Sequence, residues 1–165
     1  MKVPFACILA ILFVGCQESQ HIEKTLMKEF YSNGALKSET VIVDKEKIRK
    51  MVFHENGHIK TISFYKNDIL HGEQLWFYDN GTLEQKVNYV DGKRQDKAYF
   101  FYPSGRIKHS RILKNDIEIM FGADYWDDSL NLMKSSLHFN DSGQIYYKKN
   151  FDSNGQLLSE EGHKE

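Results

Sequence analysis

The chain has little of what many small proteins use for bracing. Its 165 residues include two cysteines, Cys7 and Cys16, and two prolines, Pro4 and Pro103. A disulfide framework or a cysteine-rich metal site needs more thiols than that. No apolar run is long enough to cross a bilayer as an ordinary helix. No stretch repeats with a helical period. The formal net charge is −1, so there is neither a basic field to draw nucleic acid nor an acidic block. No serine sits in a nucleophile elbow, and no glycine-rich loop is shaped for phosphate. An enzyme, a bound metal and a cofactor are therefore not expected.

What the chain does have is a repeated turn. Six glycines, Gly34, Gly57, Gly81, Gly105, Gly143 and Gly155, are each preceded by Asn or Ser. Four positions before each stands a phenylalanine: Phe30, Phe53, Phe77, Phe101, Phe139 and Phe151. Two positions after each stands Leu36, Ile59, Leu83, Ile107, Ile145 or Leu157. Asn-Gly and Ser-Gly between aromatic and aliphatic runs mark tight hairpin turns. A two-residue loop would pair Tyr78 with Leu83. A three-residue loop, Asp79-Asn80-Gly81, would pair Phe77 with Leu83 and leave the glycine left-handed in a bulge. The second is favoured, because it makes the recurrent Phe and Leu/Ile direct partners on one face. Pro103 would also take the first central position of a type I turn, where its fixed φ belongs.

Strict alternation then sorts the side chains. One face carries the six Phe and six Leu/Ile with Ile42, Tyr65, Tyr89 and Leu113, and is expected to be the core. The other carries Tyr31, Val52, His54, Trp76, Tyr78, Phe100 and Tyr102, with Lys37, Lys60, Glu84, Lys86 and Lys108 on the returning strands.

Successive glycine spacings are 23, 24, 24, 38 and 12 residues. A period near 24 belongs to repeat architectures. Second turns at Asn67-Asp68, Asp91-Gly92 and Asn115-Asp116 close each hairpin against the next. The expected fold is all-β: an elongated antiparallel meander of repeated hairpins, forming a single-layer curved sheet. The excess length falls near 117–136, where Ala123 to Leu132 has no repeat glycine. That stretch reads as a longer hairpin with Asp127-Asp128-Ser129 at its tip, or as a short helix capped by Asp128; the hairpin is favoured.

The N-terminus reads as an address. Val3 to Val14 is almost wholly apolar, too short to span a membrane but suited to a secretion signal. Leu12-Phe13-Val14-Gly15-Cys16 resembles a bacterial lipobox. That resemblance implies cleavage before Cys16, lipidation of its thiol and anchorage in the cell envelope. Residues 1–15 are then the signal, 16–26 a polar tether and 27–165 the repeat domain.

Tyr65-Lys66-Asn67-Asp68-Ile69-Leu70-His71-Gly72-Glu73-Gln74-Leu75-Trp76-Phe77-Tyr78-Asp79-Asn80-Gly81-Thr82-Leu83 resembles the MORN repeat, in the variant form of bacterial YwqK-type antitoxin-like proteins. The resemblance implies a curved β-meander used as an interaction surface, and it raises an antitoxin or immunity role.

Candidate chemistry is sparse. His54 and His58 flank one turn without an evident third ligand. Asp127 and Asp128 are adjacent, so on a strand they would point to opposite faces. The aromatic and lysine face is the better candidate. Tyr31, His54, Trp76, Tyr78, Phe100 and Tyr102 would contact a protein partner, with Lys60, Lys86 and Lys108 as a rim. A thin sheet must also shield both faces, so the same aromatics have a purely structural reading. A lipid- or glycan-contacting module is a further alternative, and nucleic acid is not expected.

Overall fold

Short apolar-alternating runs separated by glycine turns form strands, and the strands pair in the order in which the chain supplies them. The computed structural model describes residues 24–44, 47–125 and 132–162. The strands are β1 (Lys24–Phe30), β2 (Leu36–Asp44), β3 (Lys47–Phe53), β4 (Ile59–Lys66), β5 (Ile69–Leu70), β6 (Gly72–Phe77), β7 (Leu83–Val90), β8 (Lys93–Phe101), β9 (Ile107–Lys114), β10 (Ile117–Glu118), β11 (Met120–Tyr125), β12 (Met133–Phe139), β13 (Ile145–Phe151) and β14 (Leu157–Gly162). There is no helix among the described residues. The spatial order is β1-β2-β3-β4-β6-β7-β8-β9-β11-β12-β13-β14, with β5 on β4 and β10 on β9. Every neighbour is antiparallel. The expected all-β meander is therefore found as one open sheet edged by β1 and β14. β1 begins at Lys24, so Lys24, Thr25 and Leu26 belong to the sheet and not to the tether. Cys16 and residues 1–15, the expected signal, lie outside the described residues.

The three-residue loop is the one that forms. The Tyr78 amide donates to the Thr82 carbonyl at 2.9 Å, and the Gly81 amide donates to the Tyr78 carbonyl at 2.9 Å. Phe77 pairs with Leu83. Gly81 sits at φ +82, where a Cβ would crowd the following carbonyl. The side chain of Asn80 completes the turn by accepting from the Thr82 amide at 2.9 Å.

Each such loop brings a bulge that strict alternation does not foresee. The register moves from Trp76↔Gln85 to Phe77↔Leu83, leaving Glu84 without a partner position. The same slip leaves Lys37, Lys60, Lys108, Tyr146 and Leu158 as the extra residue of their own units. One extra residue reverses the facing of everything beyond it. Tyr89 and Leu113 therefore leave the Phe77 face and join the Trp76 face. The buried cluster is Val87, Ala98 and Leu113, with Trp76, Tyr89 and Phe100 packed against it. This corrects the expected core face. Phe77 and Phe101 are only half-buried, and Phe30 is 59% exposed. Burial is shared between the two faces of a single layer, and the tightest packing lies on the tryptophan side.

The two edges of the meander use different turns. The loops at Gly34, Gly57, Gly81 and Gly105 lie along one edge. The opposite edge has two-residue turns in which both residues have positive φ: Asn67-Asp68 (50° and 61°), Asp91-Gly92 (50° and 80°) and Asn115-Asp116 (50° and 72°). Such turns match the twist of a hairpin. The hairpin of β11 and β12 then changes the count. β11 and β12 pair over most of their length, in accord with the hairpin reading; its proposed tip at Asp127-Asp128-Ser129 lies outside the described residues. The Gly143 loop consequently falls on the two-residue-turn edge, and a Cβ on Gly143 would lie 2.9 Å from the Ile117 side chain. Phe139 is correspondingly on the Trp76 face, at 7% exposure and packed beside Gly122. The six Gly units are thus not six stacked copies.

Candidate binding surface

Four of the six repeat phenylalanines are followed by Tyr31, His54, Tyr78 or Tyr102, and these four reach the next unit in the same way. The Tyr31 hydroxyl donates to the Phe53 carbonyl at 2.7 Å, Tyr78 to Phe101 at 2.8 Å and Tyr102 to Tyr125 at 3.0 Å. His54 Nε2 meets the Phe77 carbonyl at 2.9 Å. A carbonyl only accepts, so that nitrogen carries the proton. These carbonyls lie at the strand end before each loop, and each clasp gives one of them a side-chain donor. The neighbouring loops are joined as well. Asn56 Nδ2 donates to the Asp79 carbonyl at 2.8 Å, and His58 Nδ1 meets the same oxygen at 2.7 Å. The ring nitrogens of His54 and His58 are thus held by main-chain oxygens, and no group of three or more metal-binding side chains occurs among the described residues.

The Trp76 face brings together most of the aromatic residues picked out from sequence. Trp76 and Phe100 pack on the Val87 cluster with their outer surfaces half-open. Tyr78 and Tyr102 are half-buried beside them with their hydroxyls engaged, so what they offer a partner is ring surface. Lys108 places its ammonium 5.7 Å from the Tyr102 ring centre, and Lys60 is exposed at the equivalent bulge. Lys86 does not join them. It pairs with Leu75 and Tyr99 on the Phe77 face, and its ammonium meets Glu73 at 2.5 Å. The bulge at Glu84 is the cause.

A polar cluster on the Trp76 face was missed from sequence. Arg111 takes the place of Val87 one period later, and Asp124 that of Phe100. Arg111 Nη2 donates to Asp124 Oδ1 at 2.7 Å, Ser135 Oγ donates to Asp124 Oδ2 at 2.6 Å, and Arg111 Nε lies 3.4 Å from Glu118. His109 stacks on Phe100 with ring centres 4.2 Å apart. Burial and the Arg111 charge hold the His109 pKa below its usual value, although Asp124 pulls the other way. For Asp124, burial pushes up, but hydrogen bonds from Ser135 and Arg111 prevail and its pKa lies below the usual carboxylate value. The signal was available: continuing the 24-residue period from Phe101 lands on Tyr125, which makes β11 a regular strand of the repeat.

The family model for the MORN repeat variant matches residues 51–67 and 70–91, which span β4, β6 and β7 and the clasps of His54 and Tyr78. No curated protein matches the chain.

Proposed function

We propose that this protein is a non-catalytic binding module whose Trp76 face docks a protein partner, and that lipid at Cys16 holds it in the cell envelope. The observation that carries the reading is an aromatic surface with no second layer over it among the described residues. Trp76, Phe100, Tyr78 and Tyr102 are fixed in place by the Val87 cluster and by the clasps, so little side-chain freedom remains to be lost on docking. Rigid aromatic surface of this kind supplies contact area at low entropic cost. Lys60 and Lys108 at the rim favour an acidic partner surface. The MORN repeat variant at 51–67 and 70–91 supports a repeat-based binding role.

Photocrosslinking in native membranes tests this. A benzophenone side chain at Lys108 should capture a partner that the same group at Lys97, on the other face, does not. Capture from Lys97 alone would put the contact on the Phe77 face. Capture of phospholipid or glycan in place of protein from Lys108 would replace the partner class.

A further inference from the structure

The two edges of the sheet carry opposite charge and run in opposite directions. β1 has Lys24, Lys28 and Glu29, and β14 has Glu160 and Glu161. Every residue of both strands is exposed, and each strand pairs on one side only among the described residues. Unpaired edges are templates for further strands, and charge is the usual way to control which strand joins.

We infer that β14 of one copy pairs with β1 of the next, so that the chain assembles head to tail by continuing its own sheet. The path from β1 to β14 has twelve strands, each antiparallel to its neighbour. An even count makes β1 and β14 opposite in direction. A second copy added in the same orientation therefore meets the first in the antiparallel sense used throughout the sheet.

The repeat supplies the register. Leu157 in β14 stands where Leu83 stands in β7, and Phe30 in β1 stands where Phe101 stands in β8. β7 and β8 pair Lys86 with Tyr99 and Gln85 with Phe100. Carried over, Glu160 faces Lys28 and Ser159 faces Glu29. The β4–β6 junction, with Ile62 opposite Leu75, gives the same Glu160 and Lys28 pairing.

Each of these charges already has an inner partner. Lys28 lies 3.2 Å from Glu39, and Glu160 lies 2.8 Å from Lys149. Docking makes one row of alternating sign, Lys149-Glu160-Lys28-Glu39, across the junction. Two β14 edges placed together would oppose acidic strands, and two β1 edges would oppose strands that are mainly basic, so isologous pairing is disfavoured. The clasp position of the last unit is Asp152, which as a carboxylate cannot donate to the Phe30 carbonyl. The junction thus has ladder bonds and ion pairs without a clasp, and is reversible. A heterologous contact of this kind is not limited to a dimer: it builds rings or open chains, according to the rotation from one copy to the next.

Sedimentation velocity of the full chain over a concentration series tests the inference. Expected is a sedimentation coefficient that rises without a plateau at dimer, and falls back in high salt. Lys28→Glu and Glu160→Lys should each stay monomeric alone and assemble when mixed. Monomer at every concentration for the wild type, or self-association of Lys28→Glu alone, would overturn it. A second measurement needs no substitution. Carbodiimide coupling of mixed isotopically light and heavy chains should join Lys28 of one to Glu160 of another. Coupling found only within chains would equally defeat the proposal.

Discussion

The phenol of Tyr78 donates to the main-chain oxygen of Phe101 at 2.8 Å, across 23 residues of sequence. A residue picked out for its surface thus has a structural duty at its polar tip, and its ring is left for contact. Tyr78→Phe should keep the ring and lose the clasp, lowering stability by about 1 kcal/mol, the usual net worth of one hydrogen bond. Urea denaturation measures this. A loss indistinguishable from zero would mean that water replaces the phenol at no cost.

Gly81→Ala isolates backbone strain. An added Cβ would find its nearest neighbour, His58 Nδ1, at an ordinary 3.7 Å, so steric crowding contributes little. The cost should be on the order of 1 kcal/mol from φ alone. Gly34→Ala, where a Cβ meets nothing within 4 Å, should cost about the same. Unequal losses at the two sites, read from thermal melts, would point to contacts in place of φ.

Packing on the two faces separates by substitution. Val87 is 3% exposed, and Val87→Ala should cost roughly 2 kcal/mol in lost methyl burial and residual cavity. Phe77→Ala should fall below the roughly 3–5 kcal/mol typical of a fully buried phenylalanine. A larger loss at Phe77, measured in the same urea titrations, would return the core to that face.

Acid should weaken the fold in two stages. His109 has a lowered pKa in the folded state. Its contribution is whole above the unfolded value of about 6.5 and is lost as pH falls from there through the lower folded value. Asp124 also has a lowered pKa, so its contribution holds above about 3.9 and fades as pH falls further. Melting temperature followed against pH should show both declines, and His109→Gln should remove the first. Persistence of the first decline in that variant would assign it to another group.

We propose that Cys16 accepts lipid, because an apolar run ends at Gly15-Cys16. A fatty-acid probe should label the wild type and leave Cys16→Ser blank. Equal labelling of the two would remove the anchor.

Turn chemistry is local, and so it was legible. Asn80-Gly81 prescribes its own loop, and Phe77 duly meets Leu83. What followed each loop was not legible. The bulge at Glu84 depends on how a left-handed glycine joins the returning strand, and no side chain at 84 announces it. Counting by strict alternation therefore put Tyr89 and Leu113 on the wrong face and Lys86 among the wrong neighbours. The Gly143 unit failed for a different reason. Its local signature equals that of Gly81, but the edge on which it lies is set by how many strands precede it, and the hairpin expected near 117–136 was not carried into that count. Arg111 and Asp124 were hidden because a salt bridge occupies positions where the period expects Val and Phe.

Strict sequential pairing also decides how the protein bears load. Each strand of the path hydrogen-bonds to the strands before and after it, with β5 added on β4 and β10 on β9. Tension applied through the two ends of the chain would open the hydrogen bonds one after another, like a zip, and would never strain a whole ladder at once. Each repeat peeled away releases about 24 residues, or roughly 80 Å of extended chain. A sheet built this way is a compliant link that lengthens in steps, four of which also break a Tyr or His clasp.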